Sequence, residues 1–317
     1  MRSHPLFAAY AALVAVCFFW GTTYLAIRMA LESFPPLLLV AARFLLSGAL
    51  MLAGAALTRA RLPRGRELWQ TAWNGVLILG VGNGCLTFAE LWIPSGLAAL
   101  IVTTSPFWMV GLDALLPPRE PLRAPVAAGI LVGALGALLL AAPGAAGWDP
   151  ALLRGILVLQ VGCFSWSLGS IRQRRIRGVA HPVVHGAVQQ LAAGLAFALP
   201  AALIPEPPVR WTAKGAGAIL YLAVFGSIVG YSAYIYALDR LPVSLVSVYT
   251  YVNPVVAVVL GHLFYGEPFG LREAVAMGVI FAGVALVKHY SAPPAGSATA
   301  ELSSGRAVSL QEPRPPS

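Results

Sequence analysis

The sequence predicts an all-α integral membrane protein of ten transmembrane helices, arranged as two inverted five-helix repeats. Three observations predict it. Hydrophobic residues make up 58% of the 317 and charged residues only 10%, against about a quarter charged in an ordinary soluble domain. Uncharged stretches such as Leu6 to Ile27, Pro125 to Trp148 and Pro182 to Pro205 each supply the about 20 residues of helix that cross a bilayer, and none alternates polar and apolar residues as a barrel strand would. The second half also echoes the first: a shift of 146 lays Cys17, Phe18 and Trp20 on Cys163, Phe164 and Trp166, Pro36 on Pro182, and Gly48 on Gly194. Pro94, Leu97 and Pro106 fall on Pro242, Leu245 and Pro254, and Glu120-Pro121 on Glu267-Pro268, in the same order.

Charges and prolines divide the apolar sequence into spans at 7–30, 35–57, 70–90, 95–116, 123–142, 154–172, 181–200, 214–238, 241–264 and 269–288. The first run is long for a secretory signal, and no small-x-small cleavage site follows it, so it reads as a mature helix. The second opens on Pro35-Pro36 and is interrupted by Arg43; the third ends at Glu90 and contains three glycines in Gly80 to Cys85. The fourth and ninth carry interior prolines, Pro106 and Pro254, each of which removes a helix hydrogen bond and kinks the chain. Gly129 with Gly133, and Gly226 with Gly230, mark close packing in the fifth and eighth. The tenth starts among Arg272 and Glu273. Beyond Tyr290 the Pro, Ser, Gly and Ala content builds no core, which divides the chain into a first repeat (1–146), a second (147–290) and a disordered cytoplasmic tail (291–317).

Five spans is an odd number, so the second copy enters the membrane from the opposite side. Orientation follows from Lys and Arg in short loops. With both termini in the cytoplasm, Arg59, Arg61, Arg64, Arg66, Arg172, Arg174, Arg175 and Arg177 lie inside, and only Arg28, Arg154, Arg210, Lys214 and Arg272 lie outside. The net charge of +9 therefore reads as a topology signal and not as a nucleic-acid surface, with anionic lipid as a secondary partner. Cys17, Cys85 and Cys163 have no paired spacing, which argues against a disulfide framework or a zinc site. No cofactor motif is present.

Trp20 to Arg28 (WGTTYLAIR), Pro35 to Phe44 (PPLLLVAARF), the A-E-x-x-x-P-S-G element from Ala89 to Gly96 and the helix-ending Glu-Pro pairs resemble the EamA family of the drug/metabolite transporter superfamily. The likeness covers about residues 8 to 288, with Ser167 where the first half has Gly21 and Gln189 where it has Arg43. It implies ten helices in two repeats and export of amino acids, other small metabolites or drugs across the cytoplasmic membrane.

Candidate site residues are the polar groups that lipid would reject. Trp20, Thr22, Trp166, Gln189, Tyr231, Tyr234, Thr103, Thr104, Tyr249 and Asn253 would line a chamber between the repeats, although Trp20 and Trp166 also suit packing at the repeat interface. Arg43 in mid-span costs about 2.5 to 3.5 kcal/mol on insertion scales, and Glu90 is the expected partner. That pair is either a structural ion pair or a substrate and proton site. Asn83 lies where the glycines would unwind the helix and free carbonyls, or simply pack. Pro106 and Pro254 are candidate hinges. His181 and His185 suit a helix start better than a metal. A mainly neutral, aromatic chamber favours an uncharged or zwitterionic solute. The rivals are a membrane enzyme acting on a lipid-linked substrate, which would want clustered His, Asp or Glu near one face, and a channel or sensor.

Overall fold

The computed structural model describes residues 5–117, 123–141, 149–175, 181–238, 240–241, 246 and 248–291. Ten helical rods run through them. They are α1 (Pro5–Leu31), α2 (Pro36–Leu57), α3 (Gly65–Gly75, Val76–Gly82 and Asn83–Ala89), α4 (Ser95–Val102 and Ser105–Leu115) and α5 (Ala124–Ala141) in the first half. The second half holds α6 (Pro150–Arg175), α7 (Pro182–Leu203), α8 (Ala213–Tyr221, Leu222–Val229 and Gly230–Leu238), α9 (Tyr249–Tyr265) and α10 (Leu271–Ser291). Among the described residues, seven apolar helices of 18 residues or more are long enough to cross a membrane, and Ala124–Leu139 is a shorter apolar one. Residues 292–317 of the expected tail and the Glu120-Pro121 pair lie outside the described residues, as do Pro242 and Leu245, while Ser291 ends α10.

Local chemistry sets the ends. Pro36 and Pro182 occupy the first helical position of α2 and α7, where the missing N–H costs nothing. Asp149 and Thr212 accept early free N–H groups of α6 and α8, and Glu273 reaches back to the Gly270 N–H just ahead of α10, so the acidic charge at the start of α10 caps it. Gly266, at φ 59°, ends α9 in the left-handed conformation that glycine adopts without strain. Leu131, Leu135 and Leu138 on α5, Leu195, Leu199 and Leu203 on α7, and Val255, Val259 and Leu263 on α9 are exposed. Apolar stripes of that extent face lipid.

The repeats are related by matched contacts. The longest helix pairings are α2 with α7 and α5 with α10, second with second and fifth with fifth. A Cβ on Gly48 would lie 2.8 Å from the Leu191 amide nitrogen, and one on Gly194 would lie 2.7 Å from that of Leu45. Each glycine thus admits the residue three before its own counterpart. Likewise Gly136 admits Ile280, and Gly283 meets the backbone of Gly133. The first helices are exchanged: α1 packs on α8 and α9 of the second half, and α6 on α3 and α4 of the first.

Loops confirm the inversion. The α1–α2 turn bonds to the α7–α8 loop, through Ser33 O accepting from Arg210 N at 2.9 Å and Ser33 Oγ with Thr212 Oγ1 at 2.6 Å. Glu206 of that loop accepts from Leu37 N and Leu38 N, capping α2. At the other end Arg123 reaches Tyr290 O and Glu67 meets His185. The turn after helix one of the first half and the loop after helix two of the second share a face, as opposed repeats require.

Candidate functional site

Two π-helical segments occupy matching positions, Val76–Gly82 in α3 and Leu222–Val229 in α8. A π turn leaves carbonyls poorly bonded within the helix and often marks a functional site. In each case a side chain from the exchanged first helix of the other repeat takes one. Trp20 Nε1 donates to Gly226 O at 3.1 Å, and Ser165 Oγ donates to Leu77 O at 2.9 Å. The unwinding expected around Gly80 to Cys85 is therefore a π-helix set one turn earlier. Asn83 follows it half-buried, and its own carbonyl accepts from Thr87 Oγ1.

The Trp20 side holds the aromatic cluster. Its ring centroid lies 5.2 Å from that of Tyr234 and 5.1 Å from that of Tyr249, and those two are 5.8 Å apart. Asn253 sits below, with its amide nitrogen oriented to donate to Cys17 O at 3.0 Å and Tyr249 O at 3.1 Å. Thr22 Oγ1 bonds Tyr221 OH at 2.6 Å. Tyr231 packs over Gly186 and Met51.

Arg43 reaches the same π segment. Its Nε donates to Ser227 Oγ at 3.0 Å, and its guanidinium lies 4.9 Å from the Phe44 ring centroid. Gln190 connects Ser227 O, Met51 Sδ and Ser47, whose hydroxyl donates to its Oε1. This buried network joins α2, α7 and α8. The expected Arg43–Glu90 pair does not form: span position fixes depth but not which face of each helix looks inward. Sequence reading missed Ser47, Gln190 and Ser227, although Ser47 is one turn from Arg43 and Gln190 adjoins Gln189.

The remaining candidates make separate contacts. Trp166 packs on Gly82. Thr104 joins Gln160 and Cys163, and Trp108 Nε1 donates to Gln160 Oε1 at 2.7 Å. Thr103, Thr104 and Ser105 fold their hydroxyls back onto Leu100, Ile101 and Val102 carbonyls. There α4 is broken just ahead of Pro106, whereas Pro254 sits within a continuous α9. Gln189 donates to Gln173 Oε1 at 2.7 Å, which also accepts from Asn74. His181 caps α7 through Val183 N, and His185 bridges Thr71 and Glu67.

At the end that carries Ser33 and Arg210, two carboxylates diverge. Glu267 accepts from Ser95 N at 2.8 Å, Gly96 N at 3.0 Å and Ser95 Oγ, so the second half caps α4 of the first. Glu90 is fully buried, and neither carboxyl oxygen has a hydrogen-bond partner. Its backbone carbonyl accepts from Arg28 at 2.6 Å. On the rim Glu32 pairs with Lys214 at 2.8 Å and accepts from Tyr265 OH. The Lys214 hydrogen bond, helped by Tyr265, holds the Glu32 carboxyl below the ordinary carboxylate range. Among the described residues no three His, Cys, Asp or Glu side chains cluster as metal ligands, and the three cysteines are free.

Known proteins resemble this chain. The sequence profile described as the EamA-like transporter family matches twice, over residues 7–142 and 153–288. The inner membrane transporter YedA of Escherichia coli (strain K12) is 37% identical over 289 residues, covering 90% of this chain and 92% of its own. Protein PecM of Dickeya dadantii (strain 3937) is 29% identical over 283 residues, covering 89% and 90%. One solved crystal structure superposes with a TM-score of 0.62 at 25% identity, covering 90% of this chain and 99% of that one.

Proposed function

The chain belongs to the EamA-like transporter family, and we propose that it exports small amphipathic metabolites, amino acids or related compounds among them and drugs as a further class, by alternating access. Its site is the cytoplasmic membrane, with both termini inside and the Ser33, Glu90 and Glu206 end outside, in keeping with the distribution of Arg and Lys. The repeats divide near residue 146.

The observation that carries this reading is the exchange of α1 and α6. Each first helix binds the π-interrupted helix of the other repeat, so the halves touch through two equivalent seams. Rocking about such a pair opens one face as it closes the other. With their loops interlocked, the halves are closed at the outer end. The partners are a small solute and the bilayer; membership in a transporter family makes the lipid-linked enzyme the weaker reading.

Glu90 is the proton carrier in this scheme. An ionised carboxylate sealed without a hydrogen bond is costly, and a proton removes that cost. The charged neighbours acting on it are Glu267 and Arg28. The test is flux of amino acids in proteoliposomes, with and without a pH gradient, for wild type and Glu90→Gln. The account expects gradient-driven flux in the wild type and only passive exchange in the variant. An unchanged response to the gradient in Glu90→Gln would reject Glu90 as carrier, and absence of flux for every amino acid and drug tried would reject export.

A further inference from the structure

Arg43 is a buried cation to which no carboxylate is paired among the described residues. It is 5% exposed, its only side-chain hydrogen bond among the described residues runs from Nε to Ser227, and its ring contact is Phe44. Among the described residues, sealed side-chain polar atoms without a partner are those of Glu90, so the Arg43 terminal nitrogens, which make no hydrogen bond, are not fully sealed and keep a small open space beside them. That space adjoins the π segment of α8: a Cβ on Gly226 would lie 3.2 Å from Nη2, and Gly226 O holds Trp20 Nε1. The polar groups next to the guanidinium, Ser227, Gln190 and Ser47, are neutral and already bonded to one another. Thus a charge, a donor fork and an aromatic wall meet at one place, and only the charge lacks its complement.

We propose that Arg43 is an anion subsite that takes the single carboxylate of a monoanionic or zwitterionic solute, whose apolar body lies on Trp20, Tyr234 and Tyr249. This rests on the transport reading above and names its solute class. A guanidinium presents two parallel donors that match a carboxylate. Charge balance selects the count. One carboxylate neutralises Arg43, and a zwitterion's ammonium meets the ring faces of Trp20, Tyr234 and Tyr249; a second carboxylate would bury an unpaired negative charge, and an amine without a carboxylate would add to the positive one.

The test uses wild-type protein in detergent and probes that share one apolar body: L-phenylalanine, 3-phenylpropionate, phenethylamine and phenylsuccinate, with affinity read from thermal shifts. The first two bind, and the last two bind at least about tenfold more weakly. Arg43→Gln, which keeps a donor toward Ser227, weakens L-phenylalanine by about a hundredfold and erases the discrimination. Arg43→Lys keeps charge without the fork and falls between. If the Gln variant does not fold, the wild-type ranking and the Lys variant decide. Equal binding of phenethylamine and phenylalanine, failure of both monocarboxylates to bind, or wild-type affinity in a folded variant overturns the subsite. Liposome flux separates the two readings. Transport of phenethylamine with carboxylates ignored leaves transport standing and removes the subsite; carboxylate binding without flux of any probe does the reverse.

Discussion

Replacing Glu267 with alanine removes the clamp that the second half places on α4. Its carboxylate accepts from Ser95 N at 2.8 Å and Gly96 N at 3.0 Å, both in buried residues, and from the Ser95 hydroxyl. Gly261 leaves room for it: a Cβ there would sit 2.8 Å from the Glu267 carboxyl carbon. Alanine leaves two buried amide donors without an acceptor. Each such orphan costs about 1 to 3 kcal/mol, so the outward-closed state loses about 2 to 6 kcal/mol against a state in which water reaches them. That is about thirtyfold or more in the equilibrium between the two. Glutamine keeps one acceptor oxygen and should cost about 1 kcal/mol. The assay follows a cysteine at position 97, which lines the shallow pocket beside Pro94, Glu267 and Phe269, in a background without Cys17, Cys85 and Cys163. A membrane-impermeant maleimide added to intact cells should modify it far faster with Glu267→Ala than with Glu267, and Glu267→Gln should fall between. Equal rates in all three would refute the claim that this carboxylate holds the outer face shut.

Three further outcomes follow from the same geometry. Gly48→Ala and Gly194→Ala each push a methyl into the facing backbone and should cost about 1 to 3 kcal/mol; because both open one helix pair, the double variant should cost less than their sum, as read by steric trapping. Trp20→Phe leaves Gly226 O without its donor and should cost about 1 to 3 kcal/mol, whereas Ser165→Ala should do the same on the other seam, checked by thermal unfolding. The Glu32 carboxyl is depressed by Lys214; a depressed acid stabilises the fold above its unfolded value near 4.5 and loses that contribution as pH falls through the folded value. The pair is largely exposed, so Glu32→Gln should cost less than about 1 kcal/mol at neutral pH, and the difference from wild type should vanish in unfolding curves taken well below pH 4.5.

Much of this was legible in the sequence. Helix number and the inverted repeat rest on hydrophobic length and on a near-constant offset, which survive low identity because they are sums over many residues. The Gly48 and Gly194 match reappears as a reciprocal contact. Side-chain partners were less legible. The spans lead one to expect Arg43 and Glu90 at a shared depth, but depth does not give azimuth: Arg43 turns to Ser227 on α8, and the Glu90 carboxyl has no hydrogen-bond partner. The second π segment was missed because Leu222 to Val229 carries a single glycine, and a π turn depends on what its carbonyls meet across the seam. Ser47 and Gln190 had a readable signal, polar atoms within one turn of Arg43 or beside Gln189 in otherwise apolar runs, which only the helix pairing turns into a network.

The opposed orientation of the two halves has a direct measurement. Cysteines placed singly at the exposed positions of Leu62, between α2 and α3, and Ile204, between α7 and α8, report the two ends of the molecule. With an impermeant maleimide on intact cells, the account predicts modification at 204 and protection at 62 until the membrane is permeabilised. Modification of both from the same side would contradict it.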